Sequence, residues 1–162
     1  MAFDAFLKID GVEGESTRKG FEKQMEIDSF SWGAANSATV GSSSGGSGGG
    51  KAVASSFTVT KKTDKSSPLL LQTLLSGTHY PKAVVTFNKA GGKSAVDFLK
   101  YEFEKVYVEN IQHSGASGGD DSTVEQVSFT LGKVTMTYTP QNPDGTKGSP
   151  MVASWDFTTV SG

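Results

Sequence analysis

Apolar and polar residues alternate along most of the chain in short runs rich in Phe, Val, Thr, Tyr and Trp, and clusters of Gly, Asp, Asn and Pro separate the runs. A period of two sends successive side chains to opposite faces of a strand, so the pattern predicts a mainly β protein. Strands are expected near Phe3–Ile9, Met25–Gly33, Val53–Lys61, Lys82–Asn88, Val96–Ile111, Val124–Thr139 and Val152–Thr159. One segment departs from this period. Ser67 can cap a helix, Pro68 suits its first turn, Leu70, Leu71, Leu74 and Leu75 fall on one broad face, and Gly77 can close it. A single short α-helix is therefore expected against the outside of a sheet, covering apolar surface there.

Two of the expected strands change phase midway. Leu99, Tyr101 and Phe103 are followed by Val106 and Val108, and Val127, Phe129 and Leu131 by Val134, Met136 and Tyr138. A β-bulge adds one residue and flips the inward face, which places bulges near Glu104–Lys105 and Gly132–Lys133. They would bend a long hairpin whose loop is Ser114–Ser122. That curvature suits a closed β-barrel of two sheets with one short flanking α-helix better than a flat sheet. Gly41–Gly50 contains only Gly and Ser, and such a stretch cannot bury enough apolar area to offset the entropy of ordering it. We expect a flexible loop at about residues 36–52 inside one domain spanning 1–162, because the roughly 40 residues before it are too few for an independent core.

Composition narrows the function classes. A chain of 162 residues can hide about 68–70% of the surface its unfolded form exposes, so a full core needs no staple. Cysteine is absent, which removes disulfides, thiolate nucleophiles and thiolate metal sites. With 15 Lys+Arg against 17 Asp+Glu and no long basic run, nothing tracks a phosphate backbone, and nucleic acid is not an expected partner. The N-terminus has no basic segment ahead of its apolar residues and meets Asp4 early, so no secretory signal is expected. No run of 18 apolar residues predicts membrane insertion.

No isolated motif, taken with its neighbours, completes a reactive site. Gly45 to Lys51 matches the start of a phosphate-binding loop, but Ala52 lacks the hydroxyl that binds magnesium and a strand pattern follows where a helix should begin. There are two histidines, His79 and His113, and neither has metal-ligand spacing. His113 lies near Ser114, Ser117, Asp120 and Asp121, the residue types of a nucleophilic triad, on a Gly-rich tip that fixes no geometry. His79 is placed to cap the helix C-terminus. The acidic stretch Asp10–Ser16 lacks calcium-loop spacing and reads as a solvated turn. Trp32 and Trp155 alternate with small or polar neighbours, as half-buried strand residues do. No catalytic constellation or cofactor motif emerges, whereas a β-rich chain has strand edges to cover, and that points to assembly.

Longer segments carry a resemblance. They are Ala2–Ser16, then Phe30-Ser31-Trp32-Gly33, Lys61–Pro68, Gly77–Ala83 and Tyr138-Thr139-Pro140-Gln141. As a set, and in this order, they resemble the haemolysin-coregulated protein (Hcp) family, which builds the expelled inner tube of bacterial type VI secretion machines. The resemblance spans nearly the whole chain. It implies a non-enzymatic structural subunit without cofactors, a homo-oligomer of six subunits per ring, and rings stacked into a hollow tube related to phage tail tubes.

The resemblance also implies partners: the type VI sheath and tip, and toxin proteins carried in the lumen. The protein would be cytoplasmic in the producing bacterium and then secreted without a signal peptide. Alternation sends Phe30 and Trp32 to one face and Ser29, Ser31 and Gly33 to the other, which in an Hcp-type ring makes Ser31 the expected lumen and cargo contact. The ring-stacking loop would include Thr39, Val40, Gly41, Ser42, Gly50 and Lys51, although its Gly/Ser richness departs from the family pattern. The rival reading from another class is a small β-barrel hydrolase or carbohydrate-binding domain, resting on the His113 loop and the two Trp residues.

Overall fold

The computed structural model describes residues 3–38, 50–91, 94–119 and 121–162. Eleven strands and one helix follow in the order β1 (Asp4–Ile9), β2 (Met25–Ile27), β3 (Ser29–Ser31), β4 (Ala34–Asn36), β5 (Ala52–Ala54), β6 (Phe57–Lys62), α1 (Ser67–Ser76), β7 (His79–Gly91), β8 (Ser94–Ser114), β9 (Val124–Thr130), β10 (Lys133–Tyr138) and β11 (Met151–Asp156). The mainly β class predicted from alternation holds. Nine strands form one sheet along the path β2-β1-β7-β8-β9-β6-β3, with β10 on β8 and β11 on β10, while β4 and β5 form a separate two-stranded sheet. The two ends of the path, β2 and β3, are halves of one segment divided only by Asp28, whose N–H donates to the Thr60 carbonyl at 2.7 Å. Chain continuity thus closes the barrel, and the division into sheets is nine strands and two.

The bulge expected near Glu104–Lys105 is not there: β7 and β8 keep one register across it, with Lys82 opposite Glu104 and Tyr80 opposite Val106, and the register shifts fall at Phe87/Asn88 and Val108/Asn110 instead. The phase of β8 changes at Lys105 through its φ of 57°, which is unusual for a residue with a Cβ. Before this residue, Leu99–Glu104 pairs with β10; after it, Tyr107–Ser114 pairs with β9. Val124–Thr139, expected as one bulged strand, is therefore two strands on different halves of β8, separated at Leu131-Gly132. Gly132 suits this close approach: its N–H donates to the Glu104 carbonyl at 2.9 Å, and a Cβ would stand a tight 3.0 Å from Cβ of Lys105. Met25–Gly33 and Val53–Lys61 are also divided. Ser55 clamps Gly33 through its N–H and hydroxyl, and β4 and β5 continue beyond this clamp as a separate two-stranded sheet.

Inward positions build an aromatic core. Phe57 stacks on Phe103 and Phe129 at centroid distances of 4.1 and 4.5 Å, and all three are fully buried. Phe30 and Trp32 pack against Tyr101 and Phe103, as alternation in β3 predicted.

Helix α1 forms where expected, with Pro68 in its first turn and Gly77 in the left-handed conformation at its end. Ser67 does not cap it: Ser66 holds the N-cap position without a side-chain hydrogen bond, and the Ser67 hydroxyl is drawn to Glu125 and the Asp64 N–H instead. The face that fastens it is narrower than the four leucines suggested. Leu70 is fully buried and Leu74 packs partly against the core, while Leu71 and Leu75 are exposed. Leu70 and Leu74 lie one turn apart on a line shared with Thr73 and Ser67; Leu71 and Leu75 follow a line about 100° further round. His79 does not cap this helix. It opens β7 and packs on Tyr107, its cross-strand partner, while the Gly77 N–H serves the carbonyls of Thr73 and Leu74.

Candidate functional site

Register assembles an apolar face that no single strand displays. Strand β10 lies between β8 and β11, so residues directly opposite share a face and form rows. One row is Phe103, Val134 and Trp155; the next is Tyr101, Met136 and Ala153; the third is Leu99, Tyr138 and Met151. Burial falls along and across these rows. Phe103 is 0% exposed, Met136 37%, Tyr138 43% and Met151 72%. The core surface thus runs outward onto a wing where nothing in this chain covers it among the described residues.

The other face of the wing is polar, with rows Glu102, Thr135, Ser154 and Lys100, Thr137, Val152. Partial burial pushes the Glu102 carboxyl up, but hydrogen bonds and charge from Lys82 and Lys100 outweigh this and hold it below the usual carboxylate value. On the apolar face, burial pushes the Tyr101 phenol up. At the rim, β11 pairs with β10 alone among the described strands, so apart from Asp156, which bridges Ser161, its outer N–H and C=O groups form a free edge.

A second surface is made by β3, β6, β9 and the later half of β8. Phe57, Val59, Val127 and Phe129 point inward, so their neighbours point out. Register sets Ser31, Thr58, Ser128 and Asn110 in one row and Ser29, Thr60, Gln126 and Gln112 in the next. All eight are uncharged hydroxyl or amide residues. The Thr58 and Ser128 hydroxyls are hydrogen bonded at 2.9 Å, and Ser31 is exposed at the end of its row. The sequence singled out Ser31; the other members of the rows come from three different segments and meet only through pairing.

The stacking-loop residues are divided. Thr39, Val40, Gly41 and Ser42 lie outside the described residues, while Lys51 is exposed just before β5. Gly50 sits against the other leg of the loop, where a Cβ would fall 2.4 Å from the Ser37 carbonyl oxygen. The loop base is therefore pinched, with Asn36 paired to Ala52 just below it.

Residues cited for the rival hydrolase serve a different structure. His113, Glu125 and Lys61 form a cross-strand row at one end of the barrel, with His113 Nδ1 3.5 Å from Glu125 Oε2. Lys61 and Glu125 are fully buried and paired. The Lys61 ammonium also donates to Asp64 at 3.0 Å and to the Lys62 carbonyl at 3.1 Å, and the Ser67 hydroxyl donates to Glu125 at 2.7 Å. This network ties β6, β9 and the start of α1 together. The only trace of this network in the sequence is parity: Lys61 continues the inward positions of Phe57 and Val59, and Glu125 those of Val127 and Phe129. Ser114, Ser117 and Asp121 line an open depression of about 590 Å³ beside His113, and Asp120 lies outside the described residues. Among the described residues no group of three or more His, Asp or Glu side chains is placed to hold a metal, and no helix is long and apolar enough to cross a membrane.

Comparison with known proteins decides what such a barrel belongs to. The family profile described as "Type VI secretion system effector, Hcp" matches residues 6–138. The chain belongs to the Hcp family. It is 39% identical to Protein hcp1 of Pseudomonas aeruginosa over 159 residues, covering 97% of this chain and 96% of that protein. A solved type six secretion system protein superposes with a TM-score of 0.92 at 35% identity, covering 99% of each chain. Hcp1 from Salmonella typhimurium does so with a TM-score of 0.82 at 29% identity, again covering 99% of each chain. The Hcp chain described here is thus a type VI secretion tube protein, and the hydrolase and carbohydrate-binding readings gain no support.

Proposed function

We propose that the chain is a non-enzymatic subunit of the type VI inner tube, a single Hcp domain that closes into hexameric rings whose stacks are expelled with toxin cargo in the lumen. The observation that carries this reading is the wing of β8, β10 and β11, whose apolar rows leave the core and end at a free strand edge. An apolar face beside an open edge is a surface a second copy can cover, and cyclic symmetry covers it on every protomer alike. Family membership supports the further reading of six subunits per ring, of sheath, tip and toxin partners, and of release from the cytoplasm without a signal peptide.

The channel side of the ring is the neutral face containing Ser31. Hydroxyl and amide groups stay hydrated without fixing a charge sign, which suits a wall that a folded cargo lies against. The segment holding Thr39, Val40, Gly41, Ser42, Gly50 and Lys51, between β4 and β5 in sequence, is the contact with the next ring in this reading. Electron microscopy with light scattering on the purified full chain tests the proposal. Annular particles with a central hole and a ring mass are expected; a monomer across a wide concentration range in low and moderate salt would overturn it.

A further inference from the structure

Three methionines are described, and their environments differ sharply. Met25 is fully buried in the barrel, whereas Met136 and Met151 are 37% and 72% exposed on the apolar face of the wing. Met136 stands opposite Ala153, and Met151 opposite Tyr138, so the two sulfurs belong to adjacent rows of one patch. Their thioethers supply apolar, polarisable contact there, and oxidation turns such a side chain into a polar, chiral one.

We propose that Met136 and Met151 form an oxidation-sensitive site that governs whether free subunits associate. The inference rests on the reading above, in which this wing meets a second copy. The co-reactant is a peroxide. Each thioether sulfur attacks a peroxide oxygen, an S–O bond forms as the O–O bond breaks, and water leaves after proton transfer; sulfur is oxidised and the peroxide is reduced. The sulfoxide then carries a strong hydrogen-bond acceptor into a face whose row neighbours are Tyr101, Ala153, Leu99 and Tyr138, mainly apolar surface with two phenol hydroxyls as its donors. Burying that acceptor against a partner without a donor is unfavourable, so oxidised subunits stay apart. Within an assembled ring the same sulfurs are covered, which confines the effect to subunits awaiting assembly.

The test uses the full chain and hydrogen peroxide. Subunits diluted until light scattering reports dissociation are oxidised, quenched, reconcentrated and sized, and peptide mass spectrometry locates the added oxygen. One oxygen at each of Met136 and Met151, none at Met25, and loss of the ring mass are expected, with methionine sulfoxide reductases restoring the ring. Two paired variants remove any dependence on dissociation by dilution. Met136→Gln with Met151→Gln, a polar mimic of similar length, is expected to remain monomeric and folded by circular dichroism. Met136→Leu with Met151→Leu, dissociated and treated with peroxide in the same way, is expected to re-form the ring. Ring formation by verified doubly oxidised subunits or by the Gln pair, or peroxide sensitivity retained in the Leu pair, overturns the inference. A monomer in the untreated protein instead overturns the ring reading on which it rests.

Discussion

Replacing Glu125 by Ala removes the main counter-charge of an ammonium that has no contact with water. Lys61 and Glu125 are each 0% exposed at the side chain, and the carboxylate also accepts the Ser67 hydroxyl at 2.7 Å. Breaking a buried ion pair from one side costs about 3–5 kcal/mol, because the remaining charge stays desolvated. Lys61 keeps Asp64 at 3.0 Å and the Lys62 carbonyl at 3.1 Å, which places the expected loss near the lower end, about 3 kcal/mol. For a chain of this size that lowers Tm by roughly 6–12 °C, at about 2–4 °C per kcal/mol. The double replacement Lys61→Met with Glu125→Leu removes both charges and fills their volume, so it should recover most of the loss. Thermal and urea unfolding at one fixed protein concentration measure this, since assembly adds a concentration-dependent contribution. A loss below about 1 kcal/mol for Glu125→Ala, or a double variant less stable than the single one, would refute the reasoning.

Other expectations follow from the same geometry. Leu70→Ala empties a fully buried site and should cost about 2–5 kcal/mol, whereas Leu75→Ala on the exposed side of α1 should stay within about 0.5 kcal/mol; urea unfolding separates them, and equal costs would mean the helix is turned the other way. Glu102 has a lowered folded-state pKa, so its contribution is present above the unfolded carboxylate value and disappears as pH falls through the folded one; replacing Lys82 and Lys100 together by Met should flatten stability against pH in that acid window. Ser31→Gln adds volume to the neutral face without touching the core, so rings should form as in the parent while retention of a cognate toxin in pull-down falls; undiminished toxin recovery with intact rings removes Ser31 from the channel contacts.

Sequence alone determined the strand-rich class, the helix and its ends, and the inward placement of Phe30 and Trp32, because each depends on local periodicity or on backbone preferences of Pro68 and Gly77. The phase flips in 99–108 and 127–138 also marked where β8 turns at Lys105 and where the chain breaks at Gly132, but not as bulges: the register shifts fall at Phe87/Asn88 and Val108/Asn110, where parity gave no sign. Family order identified the secretion role and singled out Ser31. Only the tertiary structure decided which leucines of α1 are buried, since that depends on the sheet beneath the helix. It also decided that Lys61 and Glu125 pair, although 64 residues separate them. The wing shows the limit most clearly. Met136, Tyr138 and Met151 look in sequence like ordinary strand residues, and their exposure follows from β10 and β11 extending past the barrel, a property of strand pairing that alternation cannot encode.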